Sequence, residues 1–372
     1  MATARAVNWW RGGAGLVIVA ACFLWVLPTF GDYREVRGLF ADELRSSDAV
    51  VSLSLIAVGI FNLIAPSVSQ TAALPGLSLR RAIWADWSTT TVTNVIPGGS
   101  ALAIGLIWAM YRSFGLARAA ITRSIVVTGV WDVLVKLGTP LLALVWLSTQ
   151  RPADSTFAQA AVIGGILFLV AAGLLATVLS GPNTARWIGT LLNQLPSLGD
   201  GWTDRLEVLR SETVELLRER GWSLTVWTVV GHANLYVLLV LCLRAVGIDR
   251  SALGWAAVLA AFAFGRLVTA LPITPGGLGV FEVGLTGALA AVGSGPGQAS
   301  GAALVAAVLL FRFLTFALPL PLGAIGLIWW NLGRRRHRAD PTAKPTGPTK
   351  PEATCWRRRP DRRRRCVRPG YG

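Results

Sequence analysis

The sequence predicts an all-α, polytopic membrane protein with about six full spans and two re-entrant hairpins, each broken at Pro-Gly-Gly, in an inverted repeat. Three observations predict it. Apolar residues make up 53% of the chain and charged residues only 15%, with a mean hydropathy of +0.56; an ordinary soluble domain carries roughly 25% charged residues. Apolar windows near the ~20 residues needed to cross hydrocarbon recur along its length. Two further apolar stretches, 82–112 and 252–292, are each interrupted by the same tripeptide. The 16 Trp and 40 Gly fit a bilayer protein, where rings anchor at interfaces and small residues let helices approach closely. A soluble enzyme with this surface would aggregate, and four cysteines placed in apolar runs or an Arg-rich tail make no disulfide scaffold. Two histidines leave no His-based metal site, and no P-loop is present.

The elements follow in order. Arg5 and Arg11 precede an apolar run at 14–30 that resembles a signal peptide, but no A-x-A cleavage site follows. Cys22 loosely matches a lipoprotein site, yet Phe23–Leu27 stays apolar where a mature lipoprotein turns polar, so this is a retained first span. Further spans fall at 49–66, 122–147, 158–180, 222–243 and 301–331. Between 158–180 and 222–243, Trp202, Leu206, Leu209, Leu216 and Leu217 recur near helical spacing among Arg and Glu. That pattern predicts an amphipathic helix over 202–220 lying in the cytoplasmic interface. The membrane domain thus covers 1–332.

Pro removes a backbone donor and Gly has little helix preference, so each interrupted stretch must break at its Pro-Gly-Gly. In hydrocarbon such a break survives only where protein or a water-filled cavity covers it. Asn94-Val-Ile-Pro97-Gly98-Gly99 stands 178 residues from Pro272-Ile-Thr-Pro275-Gly276-Gly277, counted from Pro97 to Pro275. Each is followed about 35 residues later by a span with buried charge: Asp132 and Lys136 in one half, Arg312 in the other. The repeat halves are about 49–147 and 222–331.

Net charge is +16, which would suggest nucleic acid were it spread along the chain. Residues 333–372 hold 14 Lys/Arg and three acids, a net +11, leaving +5 for the first 332. This Pro/Arg-rich tail reads as a disordered, cytoplasmic, positive-inside stop, able to meet anionic lipid headgroups; no folded nucleic-acid reader accompanies it. Basic N-terminus and basic tail place both ends in the cytoplasm, with the acidic 31–48 loop and 293–300 outside. The two hairpins then enter from opposite faces.

Ionisable groups at membrane depth need a partner or a purpose. Asp132 and Lys136 are i,i+4 and can neutralise each other on one helix face. Glu282 has two candidate partners, Arg266 and Arg312; an arginine left to face a cavity would suit a phosphate. His232 and Asn234 read as interhelical hydrogen-bond partners, and Asp86 as a residue snorkelling near the interface. A helix beginning inside the membrane presents unpaired N–H groups and a positive dipole end, a ready anion site. The candidate substrate-binding set is therefore Asn94, Pro97, Gly98 and Gly99 at the first break, Pro275, Gly276 and Gly277 at the second, with Glu282, Arg266, Arg312, Asp132 and Lys136. The other reading of the breaks is a packing kink.

At Leu271-Pro-Ile-Thr-Pro-Gly-Gly-Leu-Gly-Val-Phe-Glu282, with Arg312 in Leu310-Phe-Arg-Phe-Leu-Thr315, the chain resembles the membrane domain of lysylphosphatidylglycerol synthases and their stand-alone flippase-like relatives. The resemblance covers roughly residues 10–332. It implies movement of a phospholipid or lipid-linked precursor between leaflets, with no cofactor. The 40 residues after Leu332 cannot hold the soluble aminoacyltransferase domain of two-domain members, so synthase activity is not implied. Ser100–Gly105 carries no charge where relatives often have an arginine, which weakens a phosphate contact from the first hairpin. Two other functions stand beside transport. Asp42-Glu43 in the acidic loop would serve a membrane glycosyltransferase acting on polyprenyl-linked sugars, and an accessory subunit of an envelope complex would need no chemistry at all.

Overall fold

The computed structural model of the chain describes residue 24 and residues 27–29, 32–38, 49–96, 99–148, 155–194, 201–268, 274–293 and 299–339. Among these the protein is all-α. Its helices are α1 (Ala49–Ala73), α2 (Leu79–Val95), α3 (Gly99–Ser113), α4 (Arg118–Ser148), α5 (Ser155–Ser180), α6 (Pro182–Asn193), α7 (Trp202–Ala245), α8 (Trp255–Val268), α9 (Val280–Val292), α10 (Gly301–Arg312) and α11 (Pro319–Ala339). Four helical stretches, Ala49–Ala73, Arg118–Trp146, Trp202–Ala245 and Gly301–Arg334, are long and apolar enough to cross a membrane. The first expected span, 14–30, lies almost wholly outside the described residues.

Both Pro-Gly-Gly stretches separate paired short helices. α2 packs on α3, and α8 on α9. These arms hold 13–17 residues, or about 20–25 Å at 1.5 Å per residue, short of a hydrocarbon core of about 30 Å. Their packing partners are exchanged between the halves. The first arm of the first hairpin, α2, lies along α11, the last span of the second half; α8 lies along α4, the last span of the first. α1 and α7, which precede the two hairpins, make the most extensive helix pair among the described residues.

The α2–α11 contact is close because α11 offers glycines. A Cβ on Gly323 would collide with Trp87 O and Thr91 Oγ1, and one on Gly326 would sit 2.6 Å from Ser88 Oγ. The hydroxyls of α2 use this proximity: Thr91 Oγ1 donates to Leu320 O at 3.2 Å and Ser88 Oγ to Gly323 O at 3.4 Å. Gly323→Leu should therefore destabilise the protein by about 1–3 kcal/mol or more, the range for forcing atoms into a filled interior. Gly333→Leu, where a Cβ meets nothing within 4 Å, is the control. Equal melting of the two variants in detergent would show that the contact does not limit stability.

Three sequence expectations change. The amphipathic stretch 202–220 forms no helix of its own; it is the first half of the 44-residue α7, which runs on through Gly221 with no Pro to end it. α6 packs along that half, held by Arg186 Nη2 donating to Glu207 Oε1 at 2.9 Å. The span 301–331 is likewise not one regular helix. Pro319 has no N–H to give, and Leu318 N–H reaches back to Phe313 O at 2.8 Å, making a π-helical segment over Phe313–Ala317. Finally, α11 runs on to Ala339, past Arg334–Arg336. Arginine is a good helix former and favourable at a helix C-terminus, and the Arg334 guanidinium covers the Trp330 ring at 4.7 Å.

Candidate functional site

The two breaks meet. Gly276 stands so close to the end of α2 that a Cβ on it would run into Phe316 and lie 3.0 Å from Asn94 Oδ1. Its φ of +57° begins a run of positive values, followed by +71° at Gly277 and +80° at Gly279. Side chains rarely adopt that region, so glycine here serves both the turn and the approach. Thr274 Oγ1 closes the turn by donating to Leu278 O at 2.9 Å.

Arg312 fastens this turn to the last span. Its Nε donates to Glu282 Oε1 at 2.5 Å and its Nη2 to Gly276 O at 3.0 Å. Its guanidinium lies 5.0 Å from the Phe281 ring centroid and 4.5 Å from that of Phe316. Glu282 is 1% exposed, and its Oε2 has no hydrogen-bond partner among the described residues. Of the two partners open to Glu282, the structure chooses Arg312.

Arg266 goes elsewhere. Its Nη2 lies 3.3 Å from His232 Nε2, and the same nitrogen is 3.2 Å from Asp132 Oδ1. Lys136 Nζ holds the other oxygen, Asp132 Oδ2, at 2.5 Å, the i,i+4 pair expected from spacing. His232 Nδ1 is 3.0 Å from Thr228 O, one turn back on α7. Helices α4, α7 and α8 thus bring one acid and three basic side chains together. Asn234 donates to Val58 O at 3.4 Å, an interhelical bond as read from sequence.

These groups border two adjoining cavities. The larger, about 600 Å³, is walled by α1–α4, α7 and α8, with Gln70, Asn94, Asp132, His232 and Arg266 among its lining residues. The smaller, about 220 Å³, is bordered by Asp86, Asn94, Arg266, Arg312 and Phe316. Asn62, Pro66, Thr90, Asn94, Leu235 and Arg266 belong to both walls. Pro66 lies inside α1; it has no N–H for the carbonyl one turn back, at Asn62, so both positions put backbone or amide polarity on the shared wall.

Of the candidate set, Asn94, Asp132, Arg266 and Arg312 line the cavities. Lys136 and Glu282 stand behind Asp132 and Arg312 as their partners. Gly99, Gly276 and Gly277 line neither cavity; a Cβ on Gly99 would strike Val92 O, so it too serves close packing. Pro97 and Gly98 lie outside the described residues, as do Asp42-Glu43 and the side chain of Pro275. Sequence reasoning missed Asn62, Gln70 and the role of Asp86. Asp86 is not at a snorkelling position: it borders the smaller cavity and accepts from Gln70 Nε2 at 3.0 Å, while Tyr111 Oη donates to Gln70 Oε1. Gln70 and Asp86 sit on different helices, 16 residues apart, so no spacing rule reports their contact. Polar residues within apolar runs were the available signal. His232 was seen, but as a lone hydrogen-bonding group.

A family model described as the lysylphosphatidylglycerol synthase TM region matches residues 12–323. No curated protein matches the chain significantly.

Proposed function

Since the chain belongs to the lysylphosphatidylglycerol synthase transmembrane-region family, a membrane family with a lipid-related task, we propose that it moves a phospholipid or lipid-linked precursor between leaflets of the cytoplasmic membrane. The observation that carries this reading is the shared wall between the two cavities, where Arg266 and Asn94 stand side by side with each void. A headgroup phosphate needs a charged fork and amide or hydroxyl donors in a partly desolvated site, and the acyl chains need an apolar exit. Exposed Ile56, Ile60, Val133, Leu142 and Ile163 around the outside of α1, α4 and α5 offer lipid-facing surface.

The remaining parts of the reading follow from it. The exchange of α2 and α8 onto the opposite half's last span is the packing expected of two inverted repeats, and the short arms suit re-entrant hairpins. Both termini are cytoplasmic, and the Arg-rich tail rests on anionic headgroups at that face. The chain carries no ATPase of its own, so movement draws on a gradient or runs downhill.

Arg266→Gln tests the reading. Losing a charge-assisted contact of about 1.5–3 kcal/mol should reduce phospholipid translocation roughly 10- to 100-fold. The assay is dithionite quenching of headgroup-labelled phospholipid in proteoliposomes, with detergent melting as a check on folding. A folded Arg266→Gln protein that moves lipid at the parent rate would remove Arg266 and the shared wall from the path.

A further inference from the structure

We propose that the smaller cavity binds a sodium ion between Asp86, Thr90 and Asn94 of α2 and Asn62 of α1. The site stands apart from the translocation reading above; where both hold, sodium is the gradient on which movement draws.

Asp86 is the starting point. Asp132 has Lys136 at 2.5 Å and Glu282 has Arg312 at 2.5 Å. Asp86 borders the same cavity as Arg266 and Arg312, yet it takes part in none of the ion pairs among the described residues. Its one hydrogen bond there comes from Gln70 Nε2 to Oδ1, at 3.0 Å. Gln70 is turned that way because Tyr111 Oη donates to its Oε1. The second carboxylate oxygen, Asp86 Oδ2, is left to the cavity. An ionised carboxylate at membrane depth is costly without a counter-charge beside it.

The oxygens that would share a cation lie next to it. Thr90 and Asn94 follow Asp86 at i+4 and i+8, so one face of α2 brings three oxygen-bearing side chains to the cavity wall. On the other faces of α2, Ser88, Thr89 and Thr91 all donate to backbone carbonyls. No such bond engages the side chains of Thr90 and Asn94 among the described residues, nor that of Asn62 across the wall. Pro66, inside α1, has no N–H to offer the Asn62 carbonyl one turn back. Trp87 Nε1 donates to Leu63 O at 2.8 Å and so ties α2 to α1 beside these groups. α2 ends at Val95, next to Asn94, and the negative end of its dipole favours a cation there.

The ligand set selects the ion. Hydroxyl, amide and carboxylate oxygens suit a hard cation. One carboxylate among neutral oxygens balances a single positive charge, whereas calcium sites gather several carboxylates. The described residues hold no group of three or more His, Cys, Asp or Glu able to bind a metal, which leaves a monovalent ion. Side-chain oxygens beside interrupted helices are also how membrane transporters hold sodium. Arg312 is neutralised by Glu282, and Arg266 lies against the His232–Asp132 pair, so neither arginine takes the place of the ion at Asp86.

Sodium-22 binding to the full-length protein in detergent tests the site, with N-methylglucamine chloride keeping the ionic strength constant. The parent should bind saturably, one ion per chain. Asp86→Asn can still accept from Gln70 through its amide oxygen, and should weaken binding at least about tenfold. Thr90→Val should weaken it roughly 2- to 10-fold, as for one neutral contact. Thr177→Val, exposed on α5 and away from both cavities, should bind as the parent does. Sodium should also raise the melting temperature of the parent and not that of Asp86→Asn. Should Asp86→Asn fail to fold, Thr90→Val decides on the same readout. A folded parent without saturable sodium binding, or folded variants with the parent's affinity, overturns the site. Choline displacing sodium-22 as readily as unlabelled sodium does also overturns it, because a quaternary ammonium cannot take metal-like oxygen ligands. Lipid movement is assayed separately. A protein that binds sodium but moves no lipid loses only the translocation reading, and one that moves lipid without binding sodium loses only this site.

Discussion

Glu282→Gln should lower the stability of the folded protein by about 3–5 kcal/mol, the usual result of stranding one member of a buried ion pair. Gln keeps the shape of Glu and can still accept from Arg312 Nε, so the loss isolates the charge. Arg312 would retain Gly276 O and its two flanking rings, which satisfy hydrogen bonds but do not neutralise it. The second change, Arg312→Met, should then recover much of the loss in the double variant, because an apolar replacement of similar length removes the unpaired charge. Detergent melting of the two single variants and the double one checks this. A Glu282→Gln protein that melts with the parent but no longer moves lipid would make Arg312 a ligand instead of a fastener.

Gly276→Ala has the second large effect. A side chain at φ +57° costs about 1–2 kcal/mol in backbone conformation, and its Cβ collides with the Phe316 ring and crowds Asn94. Overpacking of this kind costs about 1–3 kcal/mol more. The two costs separate experimentally. Phe316→Leu removes the ring edge the methyl meets, so combining it with Gly276→Ala should recover the packing part and leave the conformational part. A double variant no more stable than the sum of the singles would mean that the two breaks do not press on each other at this point.

What the sequence made legible tracks how local each contact is. Spans appear as apolar runs, and the breaks as Pro-Gly-Gly, because hydrocarbon burial and backbone hydrogen bonding act on consecutive residues. Asp132–Lys136 was readable because an i,i+4 pair is fixed by the helix alone. Glu282 was readable as needing a partner, but the choice of Arg312 over Arg266 depends on how α8, α9 and α10 pack, which spacing does not encode. The same limit hid the His232 cluster, drawn from α4, α7 and α8, and the Tyr111–Gln70–Asp86 bridge. Legibility also failed where a local signal was overridden: the charge pattern over 202–220 marks an amphipathic face but does not end a helix. The breaks were readable as special backbone, while the partner of Gly276's carbonyl and the side chains filling its Cβ space were not.

The exchange of hairpin arms between halves has a consequence for how the chain is made. α2 is rich in hydroxyls, from Ser88 through Thr93, and its partner α11 begins at Pro319. Between Val95 and Pro319 lie about 220 residues, which a ribosome adds in roughly 10–45 s at about 5–20 residues per second. During that interval Ser88, Thr91 and the surrounding backbone have no α11 to rest against. The first hairpin must therefore wait at the insertion machinery, or in a provisional position, until the last span emerges. Quality control would meet an interrupted chain as one with an unsheltered polar arm, and the closing event of biogenesis is the docking of residues 319–326 onto a helix synthesised long before.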